Sequence, residues 1–243
     1  MKRELKRQIK QDELRSGLET AALWAREHSR EVQVTVVTLL VLLGAVFVVQ
    51  SFRARQDAQA EATFSRAIET YHAPVAAELP PGAERPARTY ATREEKHRKA
   101  LAEFEAVEKS ASGEIRQRAR YYAALSRLEL GDLEAAEKTL AELAGRKDDD
   151  DLVPSLARLA LADLHRRNGQ PQKAIDAYRQ MVDDSSFLLP RDYALLKLGA
   201  SQEEANRLEE ARASYERLFQ EYPGSVYAGE ARQRAEYLQP ARG

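Results

Sequence analysis

Apolar residues follow two patterns in this chain: one unbroken run near the start, and helical spacing among many charged residues elsewhere. The run, residues 32–52, reads VQVTVVTLLVLLGAVFVVQSF and contains no charged side chain. As a helix, its 21 residues would be about 31 Å long, close to the roughly 30 Å hydrocarbon thickness of a bilayer. The pattern therefore predicts one transmembrane helix.

Two other interpretations of the run are a buried strand or core helix and a cleaved signal peptide. A strand is usually far shorter, and the core helix of a soluble protein usually keeps a polar face. A signal peptide has a short basic leader and an apolar core of roughly 7–15 residues, whereas 31 residues precede this run. The AQA triplet at 58–60, which resembles a cleavage site, lies beyond Arg53 and Arg55, so retention of the run is favoured.

The second pattern is a repeat. Alanines recur at spacings of 36, 38 and 37 residues, at Ala100, Ala136, Ala174 and Ala211. A large residue follows each alanine after four residues, at Phe104, Leu140, Tyr178 and Tyr215. A turn residue precedes the last three alanines by five residues, at Gly131, Gly169 and Asn206. The alternative is a chance alignment of four unrelated amphipathic helices.

The spacing is typical of a repeated helix pair. Alanine is needed where the two helices of a pair approach closely, and Gly or Asn adopts the left-handed conformation that ends the first helix. A single pair cannot bury its apolar face alone, so successive pairs stack into a solenoid.

The repeat resembles the tetratricopeptide repeat family over residues 93–238. The unit YALLKLGASQEEANRLEEARASYERLFQEYP holds the family's Leu-Gly pair as Leu198-Gly199, the alanine as Ala211 and the closing proline as Pro223. The two earlier units have Ala-Ala and Leu-Ala at the Leu-Gly positions and are a few residues longer. The final helix, SVYAGEARQRAEYL, resembles the solitary helix that caps such stacks. We therefore expect an all-α fold with one N-terminal transmembrane helix, an α-solenoid of tetratricopeptide-like pairs and a C-terminal capping helix.

The patterns divide the chain into five parts. We expect a basic, partly helical amphipathic tail on the cytoplasmic side at 1–31, the membrane helix at 32–52 and the repeat domain at 93–238, followed by a short tail at 239–243. Residues 53–92 would form a juxtamembrane helix, able to pair with the Ala100 helix, and then a loop. The loop, 73–92, contains four prolines and is predicted to be mobile, either a tolerated insertion or a binding loop.

Composition and charge exclude several kinds of site and partner. The chain has no cysteine, which excludes disulfides, thiolate metal sites and a lipoprotein anchor. After the apolar run it carries 30 basic and 33 acidic residues, so binding to nucleic acid or peptidoglycan through charge is not expected. The tail at 1–31 holds eight basic residues, which favours a cytoplasmic N-terminus, although the count within 20 residues of the run is three on each side.

No catalytic, metal-binding or cofactor-binding motif emerges from the sequence. His28, His72, His97 and His165 lack paired ligand spacing and stand in polar helical phrases where solvated side chains are expected. A segment beginning at Gly224 resembles a phosphate loop but has Glu230 where the lysine belongs. We therefore expect no enzyme activity and no cofactor.

A solenoid of helix pairs has a concave groove lined by the first helix of each pair, and such grooves bind extended peptides or helices. The family pattern implies a protein-binding groove lined by Arg118, Tyr121, Leu125, Leu128, Leu156, Leu159, Asp163, Arg166, Tyr193, Leu196 and Glu203. These residues mix apolar side chains with both charge signs, which suits protein partners.

The layout of short basic tail, single membrane helix and repeat stack resembles the ancillary Sec-translocon subunit of bacterial inner membranes. That resemblance implies a periplasmic domain whose partners are translocon subunits and membrane-anchored chaperones. The ending YPGSVYAGEA also resembles repeats of the periplasmic Tol-Pal cell-division coordinator and of the outer-membrane barrel-assembly lipoprotein, which implies envelope-assembly partners instead. A structural homo-oligomer is the third alternative.

Overall fold

The computed structural model describes residues 28–80, 82, 84–146 and 151–239, and the predicted cytoplasmic tail up to residue 27 lies outside them. The chain divides into two compact units, Met1–Gln56 and Asp57–Gly243. Regular structure in the described residues is helical, apart from one isolated bridge between Val75 and Tyr90. The fold is all-α.

The first helix, α1, covers Ser29–His72 and contains the apolar run. Thr35 and Thr38 donate hydrogen bonds to the backbone carbonyls of Glu31 and Val34, each at 2.8 Å, so the hydroxyls in this part of the helix are satisfied within it. None of its apolar stretch is buried. The helix is thus long and apolar enough to cross a membrane.

The second unit is a stack of helix pairs. Its elements after α1 are α2 Arg93–Ser110, α3 Gly113–Glu129, α4 Leu133–Ala144, α5 Leu152–Arg167, α6 Pro171–Asp183, α7 Arg191–Glu204, α8 Leu208–Glu221 and α9 Ala228–Tyr237. The pairs are α3 with α4, α5 with α6 and α7 with α8, and α9 packs on α8 as a cap. The predicted α-solenoid with a C-terminal capping helix is confirmed.

The turns inside the pairs share one geometry. Gly131, Gly169 and Asn206 have φ of 80°, 68° and 56°, in the left-handed region. The next residue along the chain in each turn donates its N–H to the carbonyl five residues earlier, at 2.8–2.9 Å. This is the Schellman arrangement, which satisfies the carbonyls at the end of the first helix. The predicted role of the two glycines and the asparagine is confirmed.

The N-terminus of α5 has a side-chain cap. Asp151 is its N-cap, and its carboxylate accepts a hydrogen bond from the N–H of Val153 at 2.8 Å. Asp151 ends a run of four aspartates at 148–151, and carboxylates near a helix N-terminus are stabilised by the helix dipole. Residues 148–150 of that run lie outside the described residues.

Small residues bring the helices of each pair together. Ala136, Ala174 and Ala211 are completely buried. In the last pair Gly199 lies against the ring of Tyr215, and a Cβ atom at position 199 would stand 2.6 Å from the Cε1 atom of Tyr215. The Leu-Gly signature is therefore explained at this site by the space that an aromatic ring requires.

Residues 57–72 of α1 belong to the stack, where they pack against α2. Ala60, Phe64 and Ala67 are buried in one hydrophobic cluster with Phe104 of α2, and the rings of Phe64 and Phe104 are 5.8 Å apart. The juxtamembrane helix is thus the first helix of an additional pair. The repeat domain was expected to begin at residue 93, and this hydrophobic cluster contains residues from both sides of that position.

The segment between α1 and α2 is not helical throughout, as its prolines predict, and holds one 3-10 turn, Ala76–Glu78. Its base is fixed by hydrogen bonds, from Ala76 N–H to the Tyr90 carbonyl at 2.8 Å and from Tyr90 N–H to the Pro74 carbonyl at 3.1 Å. Val75 is buried. The mobile loop predicted from the sequence is therefore tied down at both ends.

The close approach of Gly199 to Tyr215 gives a stability prediction. Gly199→Ala should lower the free energy of unfolding by about 1–3 kcal/mol, because the added methyl group forces the tyrosine ring out of its packed position. Thermal unfolding followed by circular dichroism would measure the change.

Gly229→Ala is the matched control, because Gly229 also lies inside a helix but has no neighbour within 4 Å of the added Cβ atom. This change should raise stability slightly, since alanine favours a helix by up to about 1 kcal/mol over glycine. Equal melting temperatures for the Gly199→Ala variant and the natural chain would contradict the packing explanation.

Candidate protein-binding groove

The residues predicted to line the groove lie on the first helices of three successive pairs. Helix α3 carries Arg118, Tyr121, Leu125 and Leu128, helix α5 carries Leu156, Leu159, Asp163 and Arg166, and helix α7 carries Tyr193, Leu196 and Glu203. Within each unit they lie at matching sequence distances before the turn residue, which is Gly131, Gly169 or Asn206. The repeat pattern therefore predicts them as one set.

Five of these residues line one cavity of about 340 Å³ between α3 and α5. They are Tyr121, Leu125, Leu128, Leu159 and Asp163. The remaining lining residues were not predicted: Tyr71, Glu129, Leu133, Ala160, Leu164, Arg167 and Asn168. An apolar concavity with a few polar groups is typical of a binding site.

The predicted residues of α7 lie outside this cavity. The Tyr193 ring packs 5.5 Å from that of Tyr227, with the Lys197 ammonium 5.2 Å from its centroid. Glu203 forms an ion pair with Arg234 at 3.3 Å, and Leu196 packs against the core of the last pairs.

The other predicted residues outside the cavity are on α3 and α5. Arg118 lies over the Phe64 ring at 4.5 Å and 3.9 Å from the Glu61 carboxylate. Arg166 pairs with Glu204 of α7 at 2.7 Å, and Leu156 is half-buried. These side chains contribute to contacts between neighbouring pairs.

The hydroxyl environment of the two cavity tyrosines favours their neutral forms. Burial, followed by the charge of Glu129, raises the pKa of Tyr71 to about 12. Burial also raises the pKa of Tyr121 to about 12, with smaller effects from Tyr122, Tyr71 and Asp163. Both hydroxyls therefore stay protonated and able to donate hydrogen bonds at neutral pH.

Asp163 is held in place from the core side. The buried Tyr178 donates its hydroxyl to the Asp163 carboxylate at 2.9 Å, and the Arg166 guanidinium lies 3.6 Å from the same oxygen. Tyr178 is one of the large residues of the repeat pattern, so the packing core of the α5–α6 pair positions an acidic group at the cavity wall.

The tetratricopeptide repeat family model matches residues 89–151 and 157–226, more than half of the chain. The chain belongs to the tetratricopeptide repeat family. Tetratricopeptide repeats are protein-interaction scaffolds, so this chain is one that binds protein partners. A comparison with curated protein sequences finds no match.

Solved structures share the fold. One is a crystal structure of nearly identical tetratricopeptide-like repeats, with one substitution, from a candidate kinesin light chain of Podosopora anserina. It matches with a TM-score of 0.50 and 16% identity, over 74% of this chain and 91% of that chain. A second structure of the same kinesin light chain repeats matches with a TM-score of 0.47 and 15% identity, over 76% of this chain and 98% of that chain. At this identity the first likeness shows the tetratricopeptide fold alone.

Sequence reasoning did not find Tyr71 and Glu129 in this tetratricopeptide groove. Tyr71 follows Phe64 and Ala67 at helical spacing in the juxtamembrane helix, and it lies 50 positions before Tyr121 in the sequence. The signal that could have found it is the similarity of residues 57–72 to the first helix of a pair. Glu129 directly follows the predicted Leu128, and no pattern distinguishes it from other helical glutamates.

One histidine differs from expectation. His97 is buried, with 5% of its surface exposed, and its ring stands edge-on to Tyr71 at 5.2 Å. Burial is the main reason that its pKa is lowered from the usual 6.5. The prediction of a solvated side chain is therefore wrong for His97. In the part of the chain that the structure describes, no cluster of three or more His, Asp or Glu side chains could hold a metal ion.

The two cavity tyrosines give a prediction in alkali. Folding raises the pKa of Tyr71 and Tyr121 from 10.0 to about 12, so their stabilising contribution is complete below about pH 10 and lost as the pH rises to about 12. A Tyr71→Phe/Tyr121→Phe double variant should therefore retain more of its melting temperature at about pH 11, relative to about pH 8, than the natural chain does.

Tyr237→Phe is the control for that experiment, because Tyr237 is 83% exposed. Its alkaline loss of stability, followed by circular dichroism, should match that of the natural chain. A double variant that loses as much stability in alkali as the natural chain would show that these tyrosines do not titrate as described.

Proposed function

We propose that this protein is a membrane-anchored, non-catalytic scaffold whose concave groove binds segments of partner polypeptides. The observation that carries the proposal is the cavity between α3 and α5, which lies on the first helices and combines leucines with tyrosine hydroxyls and carboxylates. Such a surface can bury apolar side chains of a peptide while its polar groups set the orientation.

The anchor in this proposal is the apolar part of α1, residues 32–52. Its length, its lack of charge and its internally bonded threonines support a transmembrane position. We place residues 1–31 in the cytoplasm and the repeat domain in the periplasm. The eight basic residues of the tail support this orientation, since a short basic tail is retained in the cytoplasm.

The specific role we favour is assistance to proteins that cross or fold at the Sec translocon, together with membrane-anchored chaperones. The support is the resemblance of the whole layout to the ancillary translocon subunit family. The ending YPGSVYAGEA supports an alternative role in envelope assembly or cell division, and assembly into a structural homo-oligomer is a further alternative.

The orientation can be tested by proteolysis. Protease added to intact spheroplasts should digest the repeat domain and leave the N-terminal tail intact, as detected with epitope tags at both ends. The membrane-permeabilised sample is the control in which both ends are digested. Digestion of the tail, with the repeat domain protected until permeabilisation, would reverse the proposed topology.

The groove can be tested by photocrosslinking in native membranes. A photoreactive residue at Leu125 in the cavity should capture partners, whereas the same residue at Leu208, on the exposed surface of α8, should not. Translocon and chaperone subunits among the products would support the favoured role, envelope-assembly proteins the alternative, and copies of this chain the homo-oligomer.

A substitution completes the test of the groove. Tyr121→Ala should reduce this capture by about tenfold or more, because aromatic anchors contribute disproportionately to interfaces. Tyr237→Ala is the control, since this exposed tyrosine of α9 does not line the cavity. Undiminished capture by a folded Tyr121→Ala variant would refute binding at this cavity.

A further inference from the structure

The groove cavity has an unusual combination of walls, with two aromatic rings and two carboxylates. Tyr71 and Tyr121 supply the rings, and Glu129 and Asp163 supply the carboxylates. The charge of Glu129 acts on Tyr71 and that of Asp163 acts on Tyr121, so each carboxylate stands near a ring. Aromatic faces and carboxylates both attract cations.

Glu129 differs from the other acidic residues at the contacts between pairs. Glu105 pairs with Arg127 at 2.6 Å, Glu204 with Arg166 at 2.7 Å and Glu203 with Arg234. Glu129, by contrast, makes no ion pair with any residue in the part of the chain that the structure describes. Its negative charge at the cavity is therefore available to a group from outside the chain.

Helix ends at the cavity add to the negative potential. Tyr71 is the second-last residue of α1, Glu129 is the last residue of α3, and Arg167 is the last residue of α5. Three helices thus bring their C-terminal ends to the lining. The C-terminal end of a helix carries a partial negative charge, which favours a cation close to it.

Building on the proposed function, we propose that this cavity receives a lysine or arginine side chain of the bound polypeptide, flanked by apolar residues. The alkyl stem packs against Tyr121, Leu125 and Leu159, and the cationic head lies between the carboxylates of Glu129 and Asp163. Long basic side chains bind in this manner because their stems are apolar and only their ends are charged.

Two arginines oppose this occupant: Arg167, the one basic residue among the lining residues, and Arg166, whose guanidinium lies 3.6 Å from the Asp163 carboxylate. Arg167 and Glu129 are both exposed, whereas the Asp163 side chain is only 25% exposed, so water screens the charges of Arg167 and Glu129 more effectively than that of Asp163. Neutralising Glu129 and neutralising Arg167 must therefore change the affinity for a basic peptide in opposite directions, and an acidic peptide would show the reverse.

The test uses the full chain in amphipol and three fluorescent peptides, GSLLXLLSG with X as lysine, norleucine or glutamate, with blocked ends. We expect the lysine peptide to bind about fivefold more tightly than the norleucine peptide, and the glutamate peptide to bind most weakly, by fluorescence anisotropy. Empty amphipol is the blank.

Charge variants make the test specific. Glu129→Gln should remove most of the lysine preference, and Arg167→Gln should increase it. Glu209→Gln, at an exposed glutamate of α8 that does not line the cavity, should leave it unchanged.

The outcomes separate this inference from the proposal on which it rests. Equal binding of the three peptides, tighter binding of the glutamate peptide, or a preference that survives Glu129→Gln would overturn the basic occupant and leave the groove in place. Failure of all three peptides to bind a correctly folded chain, or binding unaffected by Tyr121→Ala, would overturn both.

Discussion

The close approach of the two helices in each pair is the constraint on which the rest of the structure depends. At Gly199 there is no room for a Cβ atom, because the Tyr215 ring occupies that space. Ala136, Ala174 and Ala211 are completely buried at the repeated contact positions. A larger side chain at any of these places would separate the helices and disturb the neighbouring pairs that stack on them.

The groove is a consequence of this packing. Helices α1 and α3 end close together, which brings Tyr71 of α1 and Tyr121 and Glu129 of α3 to one cavity. The core also positions polar groups directly, since the buried hydroxyl of Tyr178 donates to Asp163 at the cavity wall. A single buried side chain, Tyr178, therefore links the packing inside a pair to the position of a carboxylate at the cavity wall.

Ion pairs between neighbouring pairs add a second layer of contacts. Arginines connect α2 with α3, α5 with α7, and α7 with α9. Partly exposed pairs of this kind contribute about 1 kcal/mol or less each, so their larger effect is to fix the register of adjacent helices. They also neutralise Glu105, Glu203 and Glu204, whereas Glu129 makes no ion pair within the described residues.

The sequence by itself determined the features that depend on local spacing: the apolar helix, the alanine marks of the pairs, the left-handed turns at Gly131, Gly169 and Asn206, and the cap at Asp151. Each of these is set by residues within one or two helical turns. The tertiary structure alone decided that His97 is buried, that Tyr193 packs on Tyr227 and that Tyr71 meets the α3–α5 cavity. These contacts join residues tens of positions apart, and their formation depends on how the helices pack against one another, which no local pattern specifies.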